Sequence, residues 1–294
     1  MKQSYLFVTL VFLLLLRSSN GQNTLKVYIS ADMEGIGGVS TSLQASPSGR
    51  EYEKFRRLMT LEVNAAIEGA FNAGAVEVLV SDSHGNAQNL DVELLDSRAK
   101  LIRAWPRPLG MVHGIDESFD AVVFVGFHAR EGDPGVLAHT FTGSVELGLN
   151  DQIVSEATFS AAIAGHFGVP VVFVSGDQVI TSDVQRQLGP VEIVVVKEAI
   201  GFHAATMLHP EKARRLIRLG VERGINRRDT LQPFTMKEPV TLELSWEQPV
   251  MAEIVSLIRG VKRINGFTTT FTGKDMIEIA EFFEVIHHIR SPSN

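Results

Sequence analysis

The sequence predicts an α/β fold: a mostly parallel sheet flanked by helices, with a smaller C-terminal α+β part. Three observations carry this expectation. Short β-branched runs alternate with helix-length segments up to about residue 190. The run at 121–127, AVVFVGF, is apolar on both faces, as a central parallel strand must be. Past Ala199 the runs at 240–245 and 267–271 alternate or are Thr-rich, which suits a half-exposed antiparallel sheet.

Taken in order, residues 25–31 read as the first strand, with Leu25, Val27 and Ile29 alternating with Lys26, Tyr28 and Ser30. Residues 48–73 read as a long amphipathic helix whose polar side carries Glu51, Glu53, Lys54, Arg56, Arg57 and Glu62. Gly74 supplies its stop. A strand at 76–82 completes a right-handed βαβ unit. Strands follow at 100–104 and 121–127, a small-residue helix at 156–167, and a strand at 170–177. A short helix at 182–188 and a strand at 191–199 end the α/β part. The remainder holds a helix at 209–224, opened by Pro210 near its first turn, and a closing helix at 275–289. The expected division is therefore 1–21, 22–190 and 191–294.

Residues 1–21 have the form of a secretory signal: a basic start at Lys2, an apolar stretch over 5–16, and small residues before Gln22. That stretch is shorter than the roughly 20 residues a spanning helix needs. Cleavage removes Lys2 and Arg17 and no acid, which moves the net charge from −7 to −9. The expected location is secreted or periplasmic, with no stable membrane span after cleavage. A negative chain without Lys/Arg runs argues against nucleic acid as a partner. With no cysteine there is no disulfide, no thiolate nucleophile and no Cys-type zinc site.

Ligands of open parallel sheets sit outside the carboxyl ends of the strands. There the sequence places Asp32 and Glu34 after the first strand, His84 after the second, and His128 after the run at 121–127. Alone, each has an ordinary explanation: a solvated strand end for the carboxylates, a turn residue for His84, a packed core histidine for His128. Together, two carboxylates and two imidazoles are thiolate-free ligand chemistry for Zn²⁺. Residues i and i+2 of a strand share a face about 6.6 Å apart. Carboxylates so held suit two ions roughly 3.5–4 Å apart, one bridging both. Met33 is expected to point into the core, and the glycines after Glu34 to leave room for substrate. His139 lies in a Gly/Pro-rich loop, and Glu156 opens a helix, where its charge complements the macrodipole. His113, His166, His203, His209, His287 and His288 read as surface or packing residues.

The segments SADMEG (30–35), SDSHG (81–85), GFHAR (126–130), PGVLAHT (134–140), the SEA of NDQIVSEA (150–157) and TTTFTGKDM (268–276) resemble the DppA-type zinc D-aminopeptidases over essentially the whole chain from Leu25. The resemblance implies two zinc ions per subunit and assigns Asp32 as their bridge. It pairs Glu34 with His128 at one ion and His84 with Glu156 at the other, and makes His139 catalytic. It also implies removal of N-terminal D-amino acids, D-Ala especially, from short peptides, and a homo-oligomer, a ring decamer. Phe202 stands where an arginine or other polar residue is expected, and His113 near an expected acid. The expected function is an exported metallo-aminopeptidase. Its rivals are a two-metal phosphoesterase and a non-enzymatic exported metal- or peptide-binding protein.

Overall fold

The computed structural model describes residues 24–141 and 143–290. The candidate signal segment lies outside them. Strand β1 (Lys26–Ala31) is followed by a short helix α1 (Ser42–Ala45), a long helix α2 (Tyr52–Asn72), and strands β2 (Glu77–Asp82), β3 (Lys100–Ile102) and β4 (Ala121–Val125). A hairpin of β5 (Val145–Leu149) and β6 (Gln152–Val154) precedes α3 (Glu156–His166), β7 (Val171–Asp177) and α4 (Gln178–Leu188). A second hairpin, β8 (Glu192–Gly201) and β9 (Ala204–Met207), leads into α5 (Pro210–Asn226). The chain closes with β10 (Val240–Trp246), α6 (Pro249–Val255), β11 (Lys262–Arg263), β12 (Thr268–Gly273) and α7 (Met276–Arg290).

Seven strands form one sheet in the order β3-β2-β1-β4-β7-β8-β9, parallel except for β9. Alternation along β1 and β4 divides their side chains between two cores. Val27, Ile29, Ala31, Val123 and Val125 pack with Met59, Val63 and Ile67 of α2 and Ile217 and Val221 of α5. Tyr28, Val122 and Phe124 pack on the other side with the alanines of α3, Ile180 and Val184 of α4, and the second sheet. With both faces covered, β4 is apolar throughout and β1 is buried from Val27 on.

The second sheet, β11-β12-β10-β5-β6, is antiparallel. Along β10, Val240, Leu242, Leu244 and Trp246 are buried and alternate with more exposed residues, the half-exposed pattern expected there. Its β5–β6 hairpin is absent from the sequence reading. It turns on Asn150 and Asp151, both left-handed (φ 47° and 68°), the geometry of a tight two-residue hairpin. The division expected at residue 190 does not coincide with the sheets. The large sheet runs on to Met207, and the smaller one takes in 145–154.

Two helices start elsewhere than expected. The chain turns at Ser46–Gly49, where Gly49 N–H donates to Ser46 O (2.7 Å), so α2 begins at Tyr52 rather than at residue 48. Helix α4 begins four residues before position 182. Asp177 caps it by accepting from Val179 N–H (2.9 Å) and Ile180 N–H (3.1 Å).

β1 leads by way of α2 to β2 on one side, whereas β4, β7 and β8 progress to the other. Strand order therefore reverses between β1 and β4, and the crevice beyond their carboxyl ends is where this kind of sheet binds ligands.

Candidate metal centre

The chain after β1 stays stitched to the end of β4. Asp32 N–H donates to Val125 O (2.9 Å) and Gly35 N–H to Gly126 O (2.7 Å). A Cβ on Gly35 would fall 2.0 Å from Phe127 O, and one on Gly126 would fall 2.3 Å from Asp32 O. Glycine at 35 thus admits close backbone approach, not substrate, which corrects the expectation. Met33 is fully buried in the core beneath α2, as expected. The strand itself ends at Ala31, and a turn closes with Ile36 N–H donating to Met33 O (3.1 Å). The turn, not strand pleating, brings Asp32 and Glu34 together.

His84 reaches them from beyond β2. Ser83 N–H donates to Ala31 O (2.8 Å), and Asn89 Nδ2 donates to His84 O (2.6 Å). Asp82 holds the far side of this loop by accepting from Asn89 N–H (2.6 Å) and Leu90 N–H (2.7 Å). His84 Nε2–H donates to Ala45 O (2.7 Å), and Nδ1 faces Glu34 Oε2 (2.8 Å) and Asp32 Oδ1 (3.3 Å). His128 is oriented the opposite way. Its Nδ1–H donates to Ala129 O (2.8 Å), and Nε2 faces Asp32 Oδ2 (3.3 Å) and Glu156 Oε1 (3.4 Å).

His139 stacks on His128, with ring centroids 4.1 Å apart and planes at 7°. Its Nδ1–H donates to Leu137 O (2.8 Å), and Nε2 lies 4.0 Å from Glu156 Oε1. Leu137 is held in the left-handed region (φ 52°), a strained conformation for a branched residue beside a functional group. Glu156 stands in the first turn of α3 behind the Ser155 cap, and its Oε1 accepts from Phe141 N–H (2.6 Å).

All six residues expected at the site therefore line one cavity of about 310 Å³. Direct contacts join Glu34 to His84 and Glu156 to His128, with one oxygen of Asp32 turned to each pair. Asp32, Glu34 and His128 also offer donors within 4.8 Å of one another, as do His128, His139 and Glu156. The first of these sets is the one expected at one ion. His287 and His288, expected as surface or packing residues, stand on the cavity wall with Trp105 and Glu284.

The charges ask for cations. Burial, and then the neighbouring Glu34 carboxylate, push Asp32 up to about 7. Burial also works against the charge on Glu34 and Glu156, but their imidazole partners hold both below the usual carboxylate range. Against the same burial, Glu156 and the other carboxylates push His128 up to about 10. Asp32 Oδ2 is buried and makes no hydrogen bond, although His128 Nε2 is 3.3 Å away. A buried oxygen with no hydrogen bond, set among carboxylates and imidazoles, suits a metal-ligating carboxylate. Carboxylate and imidazole without thiolate fit Zn²⁺.

Two buried residues hold the 34–39 segment: Lys197, and Glu62, which is expected on the polar side of α2 but is enclosed. Lys197 Nζ donates to the carbonyls of Glu34, Ile36 (3.1 Å) and Val39 (2.6 Å). Glu62 Oε1 accepts from Gly37 N–H (3.0 Å). A bulge in β8 opposite Asp177 turns both Val196 and Lys197 inward, which simple alternation does not foretell. Asp177 has a second task besides its cap: its Oδ2 accepts from Val136 N–H (2.8 Å) and anchors the segment that carries His139.

Comparison with known proteins places this geometry. A family profile described as D-aminopeptidase, the peptidase M55 family, matches residues 25–285. A D-aminopeptidase of Bacillus subtilis (strain 168) is 36% identical over 256 residues, spanning 86% of this chain and 93% of the relative. The solved structure described as "Zn-dependent D-aminopeptidase DppA from Bacillus subtilis, a self-compartmentalizing protease" superposes with a TM-score of 0.89 at 34% identity, over 91% of this chain and 99% of that one.

Proposed function

We propose, from the premise that the chain belongs to the peptidase M55 family of D-aminopeptidases, that it is an exported two-zinc aminopeptidase removing N-terminal D-residues, D-Ala above all, from short peptides. The observation that carries the two-ion reading is the buried Asp32 carboxylate, which turns one oxygen to each imidazole and whose Oδ2 makes no hydrogen bond. Glu34 and His128 would hold one ion, His84 and Glu156 the other, and Asp32 both. Bound zinc lowers the pKa of a water toward neutrality and polarises the scissile carbonyl. The remaining work falls to the chain. His139 keeps its Nδ1 proton on Leu137 O, so its Nε2 takes a proton from the attacking side and returns it to the leaving amine. The cavity, about 310 Å³, is of a size for small ligands and excludes folded polypeptide.

A phosphoesterase would need cationic side chains to hold its anion. No Lys or Arg lines the cavity, and Arg130 is engaged by Asp133 (3.0 Å) and Glu146 (3.2 Å). A protein that only binds metal or peptide would have no use for a histidine held in one tautomer beside the ligands. D-Ala and L-Ala p-nitroanilides, assayed with zinc present, test the reading. Faster turnover of the D-compound is expected; inactivity on both with zinc bound would overturn it.

Export rests on residues 1–21 alone. No helix among the described residues is long and apolar enough to cross a membrane. Amino-terminal sequencing of the mature protein is expected to begin at Gln22. Assembly into a closed homo-oligomer, the ring decamer of the resemblance, is supported by exposed Val250, Ile254, Leu257, Ile264 and Phe267 around α6 and β11–β12. Light scattering reads the molar mass.

A further inference from the structure

The centre opens on two cavities, not one. Glu34, His84, Gly85 and His139 line both. Beyond them the two walls differ in chemistry. The first cavity ends on Trp105 and on Glu284 of α7. Glu284 Oε1 accepts from Arg107 N–H (2.7 Å) and faces His288 Nε2 at 2.8 Å, so a fixed carboxylate stands on that wall. The second cavity, about 460 Å³, is walled by Ala45, Pro47, Leu137 and Phe202 with Ser42, Ser46 and His203, and apart from the shared Glu34 it presents no carboxylate, ammonium or guanidinium.

Phe202 forms the tip of the β8–β9 hairpin and is 51% exposed. Its carbonyl accepts from Leu137 N–H (2.9 Å), which ties the tip to the segment carrying His139. The ring therefore sits at a set position beside the reacting groups with its apolar surface uncovered. Burying such surface against an apolar ligand group is favourable.

We infer that the carboxylate-walled cavity takes the N-terminal residue with its free ammonium, and that the Phe202 cavity takes the second residue of the peptide and selects an apolar side chain there. This rests on the aminopeptidase reading above. It makes Phe202 a specificity-determining residue and names the substrate class as short peptides with an apolar second residue.

The test is kcat/KM for D-Ala-L-Leu and D-Ala-Gly with the zinc-loaded full chain, its Phe202→Ala variant and its Phe202→Leu variant. The wild type is expected to prefer the leucyl peptide. Phe202→Ala is expected to lower the Leu/Gly ratio about fivefold to tenfold, with most of the change in KM, and Phe202→Leu to restore much of it. Equal bound zinc and equal thermal midpoints in the three proteins exclude misfolding. If both peptides are cleaved and the ratio does not move, the cavity assignment is wrong while the aminopeptidase reading stands. If the wild type cleaves neither, that reading fails and this one with it.

Discussion

The segment 32–39 and the segment 134–141 meet at one centre but are held in different ways. The first carries Asp32 and Glu34 and is strapped from beneath by fully enclosed side chains. Lys197 gathers three of its carbonyls, and Glu62 receives one of its amides. The second carries His139 and is held from its edges, by Asp177 through Val136 N–H and by the Phe202 carbonyl through Leu137 N–H. His139 keeps 27% of its side chain exposed, against 3% for Asp32. Ligands gain from being fixed before an ion arrives, whereas a proton-transferring group needs access to substrate. Metal affinity should therefore answer to the first segment's supports, and turnover at full metal load to the second's.

Asp32→Asn is the harshest way to break this contrast, because it removes the group shared by both half-sites. Its loss of activity should exceed the ~10–100-fold typical of an outer-shell partner, with bound zinc falling at both positions by elemental analysis. His139→Ala comes next: kcat is expected to fall by ~10²–10⁴-fold, while zinc content stays at the wild-type level. A fall in zinc instead would make His139 a ligand, as its place among the His128 and Glu156 donors allows geometrically.

Lys197→Met tests the buried strap. It leaves the carbonyls of Glu34, Ile36 and Val39 without their donor. A stability loss of about 3 kcal/mol is expected in denaturant titration, with zinc affinity weakened by ~10–100-fold in competition with a chelator. Asp177→Ala should act on the other segment and more gently. Losing the α4 cap costs about 1 kcal/mol, and kcat should drop while zinc affinity is unchanged. If Lys197→Met spared the metal and Asp177→Ala released it, the two segments would have exchanged roles.

Much of this centre is legible in the sequence because apolar strands stop abruptly at it. The runs ending before Asp32, His84 and His128 are buried on both faces, so an acid or imidazole at their ends has to lie at the sheet's edge. What escapes is set by local backbone events. The β8 bulge turns Lys197 inward against simple alternation. The two left-handed residues Asn150 and Asp151 make a hairpin of a stretch that otherwise reads as a loop. The ring nitrogen each histidine turns to the centre depends on which one it commits to a backbone carbonyl, Nε2 in His84 and Nδ1 in His128, and no residue spacing encodes that choice. The cavity wall on α7 is hidden for a different reason. His287 and His288 follow Asp32 by more than 250 positions and reach the centre only because α7 packs against α3.

In the proposed centre Asp32 joins two zinc ions that together drive hydrolysis. Metal-free protein titrated with zinc, and assayed at each addition on D-Ala p-nitroanilide, tests that directly. Activity should rise to its maximum only as a second equivalent binds per chain and should vanish again on chelation. Full activity in the metal-free protein, or none with two equivalents bound, would contradict it.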